Sequence, residues 1–235
     1  TNQATGTCDV VSYSSNHQDQ FSNLPQERIE LIIHALSNRT QELFENPNIK
    51  YILPFENKGK DIGVTLDHPH GQIYSFGHIP EIIKKQSISQ QGKPLENYLS
   101  NIPEVLILKK NSTGICFVPR WARYPFEIWV VPYRRVPDLY SLSDDEKKDL
   151  AELMLVASKK LDGVFDTPMP YTLAWQLSPR GYEDSHHFHL CFQPIRRSKT
   201  KLKYLAGVEQ ITGFFLVDLP QERSARILLG EEQPD

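Results

Sequence analysis

The sequence predicts an α+β fold made of two copies of one unit, with antiparallel sheets and helices packed on one face. Three observations carry this reading. A strand, a helix and two further strands recur in the same order at a constant offset of 119 residues, from 7 to 126 at the first strand and from 68 to 187 at the last. Both closing strands read His-x-His, as HPHGQIY at 68–74 and HFHLCFQ at 187–193. The chain has 235 residues, 39% hydrophobic and 10% aromatic, which is enough to bury a sizeable core. The repeat divides it into a first unit over 1–100 and a second over 101–235.

The elements follow in order. TCDVVSY (7–13) reads as a short strand, and SSNHQDQ after it is a polar turn carrying His17. Pro25 suits the first turn of a helix. Ile29, Ile32, Ile33, Leu36 and Leu43 then recur at helical spacing until Asn46-Pro47-Asn48 stops it. YILPFENKG (51–59) is a strand, 60–67 a loop, and 68–74 is extended. Residues 77–101 are polar and irregular, with short helices expected near 80–85 and 94–99. PEVLILKK, the turn NSTG and ICFVPRW form a hairpin pattern over 103–121. FEIWVVPY (126–133) is the next strand. Ser143 with Glu146 three residues on is a capping box opening a helix to about 165. Strands at 171–177 and 187–193 complete the second copy, and Pro220 opens a last short helix. The hairpin at 103–121 precedes the second copy; its equivalent in the first would lie upstream of Thr1, so the first unit is expected to be incomplete at its N-terminal side.

Composition excludes several classes. Lys plus Arg is 26 and Asp plus Glu is 29, a net charge of −3, which argues against a nucleic-acid protein held by bulk charge. Three widely spaced cysteines rule out a disulfide framework and suit a reducing, cytoplasmic compartment. No apolar run approaches the roughly 18 residues of a membrane helix, and TNQATGTCDVV has no leader pattern.

The sharpest chemistry lies in His68-Pro69-His70-Gly71-Gln72. Alternation along a strand places His68, His70 and Gln72 on one face. Pro69 removes an N–H and stiffens the segment. Gly71 leaves room for a bulky group against the backbone. An imidazole nitrogen can attack phosphorus directly, provided the other nitrogen keeps its proton on an acceptor. A nearby amide can donate to the phosphoryl oxygens where charge gathers. A bare His-x-His is more often structural; the added Pro, Gly and Gln favour phosphoryl chemistry.

DHPHGQIYSFGHIP resembles the active-site strand of the galactose-1-phosphate uridylyltransferases, a branch of the histidine-triad superfamily. GTCDVVSYSSNH, PFENKG, VPRWARYPFEIWVVP, HHFHLCFQPIRRS and LKYLAGVE resemble further segments of that family, in its order, over about residues 6–220. The resemblance implies two histidine-triad-like units. It implies that His70 is the nucleophile that takes up the uridylyl group and that Gln72 hydrogen-bonds its phosphate. Asn57, Gly63 and Thr65 match positions lining the phosphates, and Lys203 and Glu209 match residues that reach the sugar phosphate and hexose from a partner subunit.

His17 and His68 match two ligands of the family's zinc site, whose other two ligands, a Cys-x-x-Cys pair, have no counterpart here. The family's second metal site falls on Gln86, Gln176, His189 and Cys191, of which only one is a clear ligand, so no metal is expected there. HFHLC has neither the Pro nor the Gln and reads as a duplicated structural strand. The reaction implied is ping-pong exchange of UMP between UDP-glucose and galactose 1-phosphate in a homodimer, with no nucleic-acid or membrane partner. Two alternatives stay open. One is a nucleoside-diphosphate-sugar phosphorylase or adenylyltransferase of the same superfamily; the other is a non-catalytic binding protein on the same fold.

Overall fold

The computed structural model describes residues 5–66 and 68–234. Its eight-stranded sheet comprises β1 (Cys8–Ser12), β2 (Tyr51–Lys58), β3 (His70–Phe76), β4 (Ile107–Lys110), β5 (Gly114–Phe117), β6 (Ile128–Pro132), β7 (Tyr171–Gln176) and β8 (His189–Pro194). The spatial order is β1-β3-β2-β7-β8-β6-β5-β4, and every pair is antiparallel. The order β1-β3-β2 is mirrored by β6-β8-β7, which is the sequence repeat expressed as topology. The repeats share one sheet, joined where Phe55, Glu56, Asn57 and Lys58 pair with Ala174, Leu173, Thr172 and Tyr171.

Two long helices, α1 (Gln26–Phe44) and α4 (Asp144–Asp162), occupy equivalent positions in the repeats and pack against each other. Ile29, Ile33 and Leu36 of α1, with Leu150, Met154, Ala157 and Leu161 of α4, bury against Ile52, Ile73, Leu173, Trp175, Leu190 and Phe192 of the sheet. The capping box forms: Glu146 N–H donates to Ser143 Oγ (3.2 Å), and Ser143 N–H donates to Glu146 Oε2 (2.8 Å). Acidic residues fill the first turn of α4 and lysines the last, matching the helix dipole.

Strand β3 follows the period-2 rule. Gly71, Ile73 and Ser75 are buried on the helix side, and His70, Gln72, Tyr74 and Phe76 are half-buried on the other. In the second repeat that other face is covered by α2 (Glu81–Ser89) and α3 (Pro94–Leu99), the irregular region of the sequence. Three bonds hold it there: Ser87 Oγ to His186 Nδ1 (3.1 Å), Gln86 to His189 (3.1 Å), and His187 N–H to Gln90 Oε1. A small ribbon of β9 (Arg196–Ser198) and β10 (Lys201–Leu202) leads into α5 (Gly207–Thr212), and α6 (Gln221–Leu229) closes the chain on the β4 side. Within the loop expected at 60–67, residues Lys60–Ile62 form one 3-10 turn.

Under the seam, Glu56 is buried beside the ion pair of Lys58 with Asp162 (2.6 Å) and near the Tyr13 and Tyr171 phenols. Burial raises the Glu56 carboxyl from 4.5 to about 8, against the pull of Lys58. The folded chain therefore keeps a proton there that the unfolded chain loses above about 4.5, so this group's contribution falls as pH rises from 4.5 to 8. Glu56→Gln removes the effect. Urea unfolding from pH 5 to 9 is expected to show a flatter pH profile and a higher midpoint than wild type at the alkaline end; parallel profiles would refute the assignment.

Candidate active site

Strand β3 begins at His70, two residues later than the motif suggested. His68 therefore lies outside the ladder and does not share the face of His70 and Gln72 as a strand residue. It still fixes His70: the His70 Nδ1–H donates to the His68 backbone carbonyl at 2.7 Å. A carbonyl only accepts, so Nδ1 carries the proton and Nε2 keeps its lone pair. The sequence argument required this of an attacking imidazole and could not name the acceptor.

Register fixes the neighbours of His70. On β1, Ser12 pairs with His70 and Val10 with Gln72. On β2, Phe55 pairs with Gln72, and Asn57 lies two residues further along the same face. Asn57 in turn pairs with Thr172, whose Oγ1 donates to Asn57 Oδ1 (3.1 Å) and leaves the Asn57 amide N–H groups available. Gly63, in the left-handed region at φ 86°, ends the 3-10 turn and leads into exposed Thr65 beyond the end of β2. His70, Gln72 and Asn57 thus share one partly open face at the rim of the first unit.

Gly71 is explained from the opposite side. A Cβ there would lie 2.1 Å from the Tyr13 hydroxyl oxygen and 2.8 Å from Tyr13 Cζ. The bulky group that needs the space is the buried Tyr13 phenol beneath the strand, itself held edge-on against Phe21 at 5.8 Å.

His17 and His68 meet at their Nδ1 atoms, 2.8 Å apart. The Ser12 hydroxyl donates to Ser14 O (3.0 Å), so it accepts from His68 Nε2–H (2.8 Å), and the His68 Nδ1 lone pair faces His17. The His17 Nδ1–H donates into that lone pair; with this proton lost, the pair supplies two nitrogen donors, half of a tetrahedral zinc set. Among the described residues no third His, Cys, Asp or Glu joins them.

Lys203 and Glu209 are brought to each other, not to His70. Lys203 Nζ bonds Glu209 Oε1 (2.7 Å) and Leu216 O (2.6 Å), and Glu209 accepts from the N–H groups of Ala206 and Leu216. These bonds hold the Glu209 carboxyl down to about 2. They brace a segment whose Tyr204, Ile211 and Phe214 side chains are exposed.

The second repeat uses the same local device. His189 Nδ1–H donates to His187 O at 2.9 Å, as His70 does to His68 O. Its Nε2, however, accepts from the Gln86 amide (3.1 Å), and burial lowers its pKa to about 3. Cys191 donates to Glu127 (3.4 Å). Of Gln86, Gln176, His189 and Cys191, only His189 is an imidazole, its Nε2 is taken by Gln86 and the Cys191 thiol by Glu127, a poor donor set for a metal. Ser12 and Thr172 are the site neighbours that sequence reasoning missed, because only strand register reveals them.

Two antiparallel repeats place a tautomer-fixed histidine and an amide on one open strand face, an arrangement chemically suited to phosphoryl groups. Family profiles agree: the galactose-1-phosphate uridyl transferase N-terminal domain matches residues 1–80 and the C-terminal domain residues 97–229. A Thermotoga maritima galactose-1-phosphate uridylyltransferase is 35% identical over 98% of this chain and 76% of its own length. A solved uridylyltransferase structure superposes with a TM-score of 0.87 at 29% identity, covering 96% of this chain and 76% of that one. An Arabidopsis thaliana ADP-glucose phosphorylase with bound ADP-glucose shares the fold, at a TM-score of 0.84 and 24% identity over 95% of this chain and 73% of that one. The chain belongs to the galactose-1-phosphate uridylyltransferase family of transferases. Among curated relatives it spans from 53% to 76% of their length.

Gly71→Ala forces Tyr13 or strand β3 to move. Overpacking of this kind costs about 1–3 kcal/mol, and the expected result is a lower thermal midpoint. An unchanged midpoint would show that the phenol yields freely.

Proposed function

We propose that this chain exchanges UMP between UDP-glucose and galactose 1-phosphate through a uridylyl-His70 intermediate. The observation that carries the reading is the 2.7 Å bond from His70 Nδ1–H to the His68 carbonyl. It leaves Nε2 as the nucleophile and gives the ring a partner when charge develops on it. In the first step Nε2 attacks the α-phosphorus, the bond from that phosphorus to the bridging oxygen breaks, and glucose 1-phosphate leaves with the electron pair. In the second, a phosphate oxygen of galactose 1-phosphate attacks the same phosphorus and the Nε2–P bond breaks, giving UDP-galactose. Splitting one displacement into two is the gain from covalent catalysis. The Gln72 amide, on the same strand face, donates to the non-bridging oxygens as their charge grows. The Asn57 amide and the backbone around Gly63 and Thr65 would hold the remaining phosphate.

Further parts of the proposal rest on separate observations. A homodimer would use the segment at 203–216, where Tyr204, Ile211 and Phe214 are 80%, 87% and 76% exposed; apolar exposure of this kind marks contact surfaces. Lys203 and Glu209 would reach sugar phosphate across that contact, from the partner. Zinc would be held by His17 and His68 through Nδ1, with other donors completing the shell, and would pin the loop that ends in the His68 carbonyl. A cytoplasmic setting fits the three free cysteines. Among the described residues no helix is long and apolar enough to cross a membrane.

Incubation with UDP-glucose and intact-mass measurement is expected to show a uridylyl adduct, lost in His70→Ala. Gln72→Ala is expected to slow adduct formation by about 10²–10³-fold, the usual scale for one transition-state donor. An adduct that survives in His70→Ala refutes the nucleophile; labelling by ADP-glucose alone refutes the uridylyl assignment. Metal analysis is expected to find zinc in the wild type and none in the His17→Ala/His68→Ala double variant. Zinc retained in that variant places it elsewhere.

A further inference from the structure

The sheet face that carries His70 in the first repeat carries a cavity of about 720 Å³ in the second. One wall is β8 and β6, with His189, Cys191, Gln193 and Trp129; the other is α2 and α3, with Gln86 and Tyr98; Trp121 and Arg123 close one end. The volume lies in the range of small-molecule sites, about 300–1,000 Å³.

Four features describe its ligand. The aromatic wall is continuous: Trp129 stacks on His189 at 4.2 Å, Trp121 meets Trp129 at 5.2 Å, and Tyr98 meets Trp121 at 4.8 Å. Two cations stand at the mouth, Lys85 on α2 and Arg123, and neither forms an ion pair with a carboxylate among the described residues; the Arg123 guanidinium lies over the Phe215 ring at 5.2 Å. The one carboxylate in the lining, Glu127, is already occupied. It accepts from the Arg123 and Tyr124 N–H groups (2.7 and 3.1 Å), from Trp129 Nε1–H (2.8 Å) and from Cys191. Finally, Gln176 Oε1 lines the cavity, is buried, and has no hydrogen-bond partner among the described residues. A buried acceptor without a donor is costly and marks a place where a ligand or water donates.

We propose that this cavity is a second, non-catalytic binding site for a nucleoside phosphate. The base lies against the Trp121–Trp129 wall, the phosphate sits at Lys85 and Arg123, and the donors of the base or ribose face Gln176. Planar stacking area together with two unpaired cations selects a nucleotide over a bare sugar phosphate. The site has no nucleophile to offer: the Gln86 amide occupies His189 Nε2, the atom equivalent to the one left free on His70. The second repeat thus has a pocket whose central histidine offers no free ring nitrogen. The assignment does not rest on the role of His70.

The test needs no turnover. Two of the three tryptophans, Trp121 and Trp129, line the cavity, and Trp175 is buried in the core. Titration of the full chain with UMP and with AMP is expected to quench tryptophan fluorescence saturably, equally in wild type and in His70→Ala. Equilibrium dialysis on the His70→Ala background is expected to show affinity about tenfold lower on adding Trp121→Ala or Arg123→Gln, with far-UV circular dichroism unchanged. Exposed Lys85→Gln repeats the measurement if either variant fails to fold. Absence of saturable quenching by both nucleotides overturns the proposal, as does affinity unchanged by the substitutions. Binding of glucose 1-phosphate in preference to either nucleotide overturns the ligand class.

Discussion

The antiparallel pairing of β2 with β7 is the constraint on which the rest depends. Four residue pairs, Phe55–Ala174 to Lys58–Tyr171, turn two half-sheets into one. Antiparallel pairing sets directly opposite side chains on the same face, so the seam aligns both repeats in one operation. Their helices meet on one side as α1 against α4, and both histidine strands present His70 and His189 on the other. Neither repeat could bury its helix face as well alone, because the core is one continuous cluster drawn from both. The ion pair of Lys58 with Asp162 ties the seam to α4, and Glu56 beside it sits uncharged until mildly alkaline pH.

With the scaffold symmetric, the difference between the two faces comes from what covers each. Both central histidines direct Nδ1–H to the carbonyl two residues back, at 2.7 and 2.9 Å. That geometry belongs to the strand start and is indifferent to chemistry. The divergence is at Nε2. In the first repeat no hydrogen bond from a described residue fills it; in the second, α2 lays Gln86 on it and buries the ring. A half-exposed imidazole with a free lone pair can accept a bond from outside the chain, and a buried one bonded at both nitrogens is a structural tie. The irregular segment 77–101 therefore sets which histidine keeps a free ring nitrogen.

The fold was largely legible because its signals are local and periodic. The helix spacing of 25–45, the Ser143–Glu146 capping box and the alternation at 68–74 each reported their own environment, and the 119-residue offset reported the mirrored topology. Boundaries shifted where sequence has no term for pairing: β3 starts at His70 because His68 bonds Ser12 and His17 in place of a neighbouring strand. At the site, His70 and Gln72 could be read from one short motif. Ser12, Thr172 and the aromatic wall of Tyr98, Trp121 and Trp129 could not, since each comes from a different element and only tertiary contact brings them together. Gly71 shows both sides of this. Its need for space was readable, but the occupant of that space, Tyr13, was not.

Lys203 and Glu209 show how far one chain can account for a site. Within the chain they neutralise each other, hydrogen-bond the backbone from 206 to 216, and expose an apolar ridge. An internal pair 7% and 2% exposed is an expensive way to brace a surface loop, because two desolvated charges regain little beyond their mutual attraction. The offset here is the backbone bonding: Lys203 donates to Leu216 O and Glu209 accepts from Ala206 and Leu216 N–H, which fixes the loop. The open His70 face is the converse: His70, Gln72 and Asn57 present one free ring nitrogen and two side-chain amides, and among the described strand residues no Lys or Arg shares that face.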